Sequence, residues 1–122
     1  MAKSTLLLLC ALFCLSAFDQ PLPQNEFACD IYVPNAFSPN DDGVNDLFQA
    51  HVGCTVTAFD FRVFNRWGQM VYSTVNQEDG WDGTLKGEPM LSAVYVYVLQ
   101  ISYEQEGEVK SEVKTGDVAL IR

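Results

Sequence analysis

The chain has 122 residues, 48% of them hydrophobic and 19% charged, which excludes a disordered or collagen-like polypeptide and suits one domain of ordinary size. Lys and Arg total 7 against 16 Asp and Glu, so the net charge is −9, and nucleic acid and anionic membrane surfaces repel such a chain. The lone histidine, His51, excludes chemistry that needs two imidazoles.

The opening MAKSTLLLLCALFCLSAFDQ reads as a secretory signal. Lys3 supplies the positive start, Leu6 to Leu15 the apolar run, and Ser16 and Ala17 the small residues at a cleavage site. The run is shorter than the ~20 residues that cross a bilayer, so no transmembrane span is expected in the mature chain. An uncleaved anchor is the alternative. Leu9 and Phe13 stand where a lipoprotein signal needs small residues before Cys10 and Cys14, so that route is rejected. The expected organisation is a removed signal peptide at 1–17, a loose lead-in at 18–28 with Pro21 and Pro23, and a domain at 29–122. Loss of Lys3 brings the net charge to about −10.

Cys10 and Cys14 leave with the signal. Cys29 and Cys54 remain as an even pair in an oxidising compartment, which predicts one disulfide. A loop of roughly 25 residues closed this way contributes ~3.5 kcal/mol in the chain-entropy model. A nucleophilic Cys54 with His51 as its base is rejected, because side chains three apart on a strand face opposite ways.

From there the pattern is all β, with no helical period sustained over three turns. Strands are predicted at Cys29 to Val33, Leu47 to Val52, and Val56 to Phe64, where Phe59, Phe61 and Val63 alternate with Asp60 and Arg62. Gln69 to Thr74 follows across Asn65-Arg66-Trp67-Gly68, a hairpin loop whose Gly68 takes a positive φ at no steric cost. Asp82 suits a turn that caps its own backbone. Ala93 to Tyr103 sets Val94, Val96 and Val98 against Tyr95, Tyr97, Leu99, Ile101 and Tyr103. With both faces apolar near its start, it belongs in the middle of a sheet. Gly107 marks a turn, and Val109 to Ile121 returns with a bulge expected at Gly116. About seven short strands in this spacing predict an antiparallel β-sandwich of immunoglobulin-like type.

The segment Ser38 to Asp46, SPNDDGVND, holds three carboxylates with no basic residue near in sequence. Its spacing matches part of a calcium loop, with Ser38, Asn40, Asp42, Val44 and Asp46 at ligand positions and Gly43 at the sharp turn. Gln49 stands where the full motif has Glu. The competing reading is a turn-rich loop whose Asn and Asp side chains cap backbone groups, with no cofactor required. Trp67 with Arg66 is either an exposed recognition knob or a lid folded back over the sandwich end. Trp81 reads as a local core anchor, the long-strand tyrosines as sheet-face packing, and His51 as a surface residue. One histidine without a Cys or Asp constellation is no zinc site. No nucleophile elbow or phosphate-cradling loop is present, so no enzyme is expected.

Five blocks in order, YVPNAFSPNDDGVNDLF (Tyr32 to Phe48), VFNRWGQMVY (Val63 to Tyr72), GWDGT (Gly80 to Thr84), AVYVYVLQI (Ala93 to Ile101) and TGDVALIR (Thr115 to Arg122), closely resemble the gliding motility-associated C-terminal domain. That is the type B sorting domain of the type IX secretion system in Bacteroidota. The resemblance runs from about Cys29 to Arg122. It implies a β-sandwich read as an export address: passage by the general secretory route, recognition of the folded domain by the secretion machinery, and delivery from the periplasm to the cell surface or medium. It also implies a dedicated outer-membrane partner protein. By position, the family's hallmark residues fall on Pro34, Asn35, Phe37, Pro39, Asp42, Gly43, Asn45, Asp46, Asn65, Arg66, Trp67, Gly68, Trp81, Asp82, Gly83, Tyr95 and Arg122. The family's domain normally ends a long protein, whereas about eleven residues separate the expected cleavage site from Cys29. A stand-alone sorting domain and a shortened gene are both open at this point.

Two functions compete. The leading one is a non-enzymatic secretion signal whose partner contacts are sheet edges, Asn65, Arg66, Trp67, Gly68 and Arg122. The alternative is a secreted, calcium-stabilised adhesion module that binds glycan or protein through Trp67 and the tyrosines.

Overall fold

The structure is a computed structural model that describes residues 29–122, so the expected signal peptide and lead-in lie outside the described residues. Nine strands run in chain order among the described residues. They are β1 (Ile31–Tyr32), β2 (Ala36–Phe37), β3 (His51–Val52), β4 (Val56–Phe64), β5 (Met70–Thr74), β6 (Thr84–Leu85), β7 (Glu88–Pro89), β8 (Ala93–Gln105) and β9 (Glu108–Leu120). The described residues contain no helix. The architecture is all-β and sandwich-like, as expected, but its two layers are unequal.

One layer is a five-stranded sheet in the order β2-β9-β8-β4-β5. Its pairs are antiparallel except β2 with β9, where Ala36 and Phe37 run parallel to Ala119 and Leu120. The hairpin of β8 and β9 turns at Glu106 and Gly107, both at positive φ (54° and 77°), the backbone that matches the twist of the flanking strands. The other layer is thin: the β1–β3 pair, the β6–β7 pair and the loops between them.

The core fills the space between these layers. From the sheet come Phe37, Phe59, Phe61, Val63, Tyr95, Leu99, Ile101, Val118 and Leu120, and from the thin layer Phe48 and Trp81. Phe48 meets Phe61 at 5.2 Å between ring centroids, and Trp81 meets Tyr95 edge-on at 5.0 Å. Tilted and edge-on contacts suit the ring quadrupoles and add about 0.5–1.5 kcal/mol per pair beyond area burial. Cys29 and Cys54 form the predicted disulfide and pin the entry to the domain against the start of β4.

Several strand expectations need correction. The run Leu47 to Val52 forms a strand only at His51–Val52, because Phe48 instead makes an isolated bridge with Trp81 across two amide-to-carbonyl bonds of 2.8 and 2.9 Å. Cys29 to Val33 shortens to Ile31–Tyr32. Strand β8 is central by its neighbours, yet its valine face is not covered by a second layer, and Val94 is 52% exposed. Gly116 is no bulge. It pairs in register with Tyr97, and a Cβ there would sit 2.7 Å from the Tyr97 hydroxyl oxygen, so glycine makes room for the ring. The irregularities lie in β4 instead, between Val56 and Ala58 and between Val63 and Phe64.

Candidate functional site

The turn between β4 and β5 is organised by Asn65. Its Oδ1 accepts from the Trp67 amide at 3.0 Å and the Gln69 amide at 2.9 Å, while its Nδ2 donates to Gln69 Oε1 at 3.1 Å. The Gly68 amide closes the turn on the Asn65 carbonyl at 3.0 Å, and Gly68 takes the left-handed φ of 82° that lets the chain return to β5. An asparagine that mimics a turn in this way fixes the backbone without using the following side chains. Arg66 and Trp67 are therefore free to point outward. Trp67 is 81% exposed, and the Arg66 guanidinium carbon lies 5.2 Å from its ring centroid. The lid reading of Trp67 is overturned: the tryptophan stands out as a knob with Arg66 stacked on it.

Beside this knob runs the segment that enters β8. Met90, Leu91, Ser92, Val94 and Tyr95 line, together with Trp67, a cleft of about 160 Å³. The Tyr95 hydroxyl donates to the Leu91 carbonyl at 2.8 Å and so holds the loop in place. Burial raises the Tyr95 phenol pKa above its ordinary value, and the nearby Arg122 and Arg66 charges oppose that rise. Leu91 and Val94 were not singled out in the sequence. The signal was present in the outward phase of Val94 and in an unpatterned Leu two residues after Pro89.

Arg122 sits close by in space. Its Nε donates to the Met90 carbonyl at 2.9 Å and its Nη2 to the Gly83 carbonyl at 3.0 Å. The guanidinium thus bridges the residues that enter and leave the β6–β7 hairpin while carrying its charge near the cleft. Trp81 behaves as the expected core anchor: it is 2% exposed, and its Nε1 donates to the Thr84 carbonyl at 2.8 Å. Asp82 caps the turn beside it, accepting from the Thr84 amide and hydroxyl.

The acidic loop has a different character. Asp46 accepts from the Asn40 amide through Oδ1 and from the Gly43 amide through Oδ2, at 3.2 and 2.7 Å. Asn40 Oδ1 accepts from the Asp42 amide, and Asp42 Oδ1 from the Val44 amide. Asn40, Asp42 and Asp46 thus each accept at least one backbone amide of the loop, the pattern of a self-capping loop. Ser38 contributes its amide to the Asn45 carbonyl at 2.8 Å. Among the described residues no group of three or more His, Cys, Asp or Glu side chains converges as metal ligands would. His51 is exposed and lies 6.0 Å from the Tyr32 ring, centroid to centroid.

Comparison with curated proteins finds no match. A comparison with family models matches residues 31–118 to the family described as the CHU_C type IX secretion signal domain. That span takes in the strands from β1 through most of β9, the NRWG turn and the acidic loop. The adhesion alternative is not favoured by this match. No helix of the described residues is long and apolar enough to cross a membrane. The chain belongs to the type IX secretion signal domain family and has the role of a C-terminal sorting signal.

Proposed function

We propose that the export label is the folded domain rather than a linear peptide, and that the secretion machinery reads it at the NRWG end. The observation that carries this reading is the exposed Trp67 on a turn held by five hydrogen bonds to and from Asn65. A Trp–Arg pair held on a fixed turn is the composition of an interface anchor. In this reading the chain reaches the periplasm by the general secretory route, folds there with its Cys29–Cys54 bond, and continues to the cell surface or the medium. An outer-membrane partner protein receives it, and no residue is assigned a catalytic step. A calcium ion in the Ser38–Asp46 loop remains a proposal from sequence spacing alone.

The test is transplantation. Residues 18–122 are fused behind a signal peptide and a reporter, then expressed in a host with the machinery and in a mutant lacking it. The reporter should reach the surface or medium only in the competent host. Retention in the periplasm of both would overturn the reading.

A further inference from the structure

The end of the sheet that carries the NRWG turn is apolar and cationic on a strongly acidic molecule. Three hydrophobic side chains line one cleft there in the open: Trp67 at 81% exposure, Leu91 at 80% and Val94 at 52%. Scattered exposed apolar residues need no explanation, but a contiguous group around a cleft marks a contact surface. The charge distribution is equally uneven. Acidic residues outnumber basic ones 16 to 7 in the chain, yet among the described residues the one ion pair joins Arg62 to Asp60 on β4. Arg66 stacks on Trp67 with no carboxylate in ion-pair range, and Arg122 spends its guanidinium on neutral carbonyls. Two cations without anions flank an apolar cleft on a body that repels other anions.

We propose that the cleft between Trp67 and the Leu91–Val94 segment docks an extended peptide segment of the secretion machinery that carries an apolar side chain beside a carboxylate. The apolar side chain packs between the Trp67 indole and Leu91, and the carboxylate faces Arg66. Charge complementarity selects this occupant: a basic segment would gain from the acidic body at large, whereas an acidic one is repelled everywhere except here. The cleft is held open in advance by Asn65 on one wall and by the Tyr95 hydroxyl on the other, which lowers the ordering cost of binding. The proposal rests on the export reading and adds the chemistry of the partner to it.

The direct test uses the protein expressed as its full precursor and purified from the periplasm. Two probes are titrated by NMR: acetyl-Glu-Phe-Leu-Glu-amide and acetyl-Lys-Phe-Leu-Lys-amide. The acidic peptide should shift the Trp67 indole N–H and the Leu91 and Val94 methyls saturably, at least about tenfold tighter than the basic one. Arg66→Glu should reverse that order, and Trp67→Ser should remove the response. Equal response to both peptides, shifts centred elsewhere, or no shift overturns the proposal. Self-association of the protein through this cleft without peptide would assign the surface to a second copy and overturn it as well. In the reporter assay, Trp67→Ser and Arg66→Glu should cut export several-fold with melting unchanged. If the wild-type fusion is exported and both variants follow it equally, the docking site falls while the export reading stands. If the wild-type fusion is not exported, the export reading falls, and the partner assignment with it.

Discussion

Arg122 Nη2 donates to the carbonyl oxygen of Gly83 at 3.0 Å, and Gly83 lies at a φ of 81° with no room for a side chain. A Cβ there would approach Leu120 Cδ1 at 3.0 Å, Arg122 Nη2 at 3.1 Å and Pro39 Cγ at 3.2 Å. The turn after Trp81, the loop before β3 and the chain end thus meet at one glycine. Gly83→Ala should cost about 1–3 kcal/mol, from left-handed strain plus displaced neighbours. Arg122→Ala should cost about 1 kcal/mol through two lost charge-assisted hydrogen bonds. Urea denaturation checks both, and the double variant should fall short of the sum because the two residues are in contact.

The two tryptophans should separate stability from recognition. Trp81→Ala removes a core side chain packed on Phe37 and Tyr95 and should cost about 3–5 kcal/mol, enough to prevent folding in a domain this small. Trp67→Ala removes an exposed side chain and should stay within about 0.5 kcal/mol of wild type. Chemical denaturation measures the first quantity, and export of the reporter fusion measures what Trp67 is for.

Reduction of the Cys29–Cys54 bond should destabilise the domain by roughly 3.5 kcal/mol, since it frees a loop of sequence separation 25 in the unfolded chain. Cys29→Ser with Cys54→Ser gives the same change without a reductant. Thermal melts of the oxidised, reduced and doubly substituted proteins check it. Coincidence of all three would show that the bond contributes nothing.

Within the Asn40–Asp46 loop, Asp46 and Asp42 accept amides of the same loop, which favours order without a cation. Melting in millimolar calcium and in excess chelator should coincide. A rise in Tm with calcium would instead identify the Ser38–Asp46 loop as an ion site, and Asp46→Asn would then abolish the rise.

The tyrosines make stability fall at alkaline pH. Burial raises the Tyr95, Tyr97 and Tyr72 phenols above the ordinary 10.0, and the hydrogen bond to Glu112 raises Tyr103. A phenol with a raised pKa holds its proton longer in the folded state than in the unfolded one. Its contribution is intact below pH 10 and is lost as pH climbs through the raised value. Tm should therefore be level on the alkaline side of neutrality and drop above pH 10, in step with tyrosinate absorbance. Tyr103→Phe should flatten part of that drop.

Local chemistry was enough for the long elements. The alternation of Phe59, Phe61 and Val63 against Asp60 and Arg62 placed β4 at the residues where it forms, and the β8 aromatics fell on the core face as their phase required. The Asn65–Gly68 turn, the Asp82 cap and the Cys29–Cys54 bond were legible for the same reason: each depends on neighbours in sequence or on a simple count of thiols. The tertiary structure alone decided the parallel β2–β9 pair, the use of Gly116 as a seat for Tyr97, and the meeting of Trp67 with Leu91 and Val94. These contacts join segments far apart in the chain, and they are set by strand register and by which face of the sheet is left uncovered. A periodicity reports which side a residue faces within its own strand. Whether anything lies on that side is settled only when the other strands have taken their places.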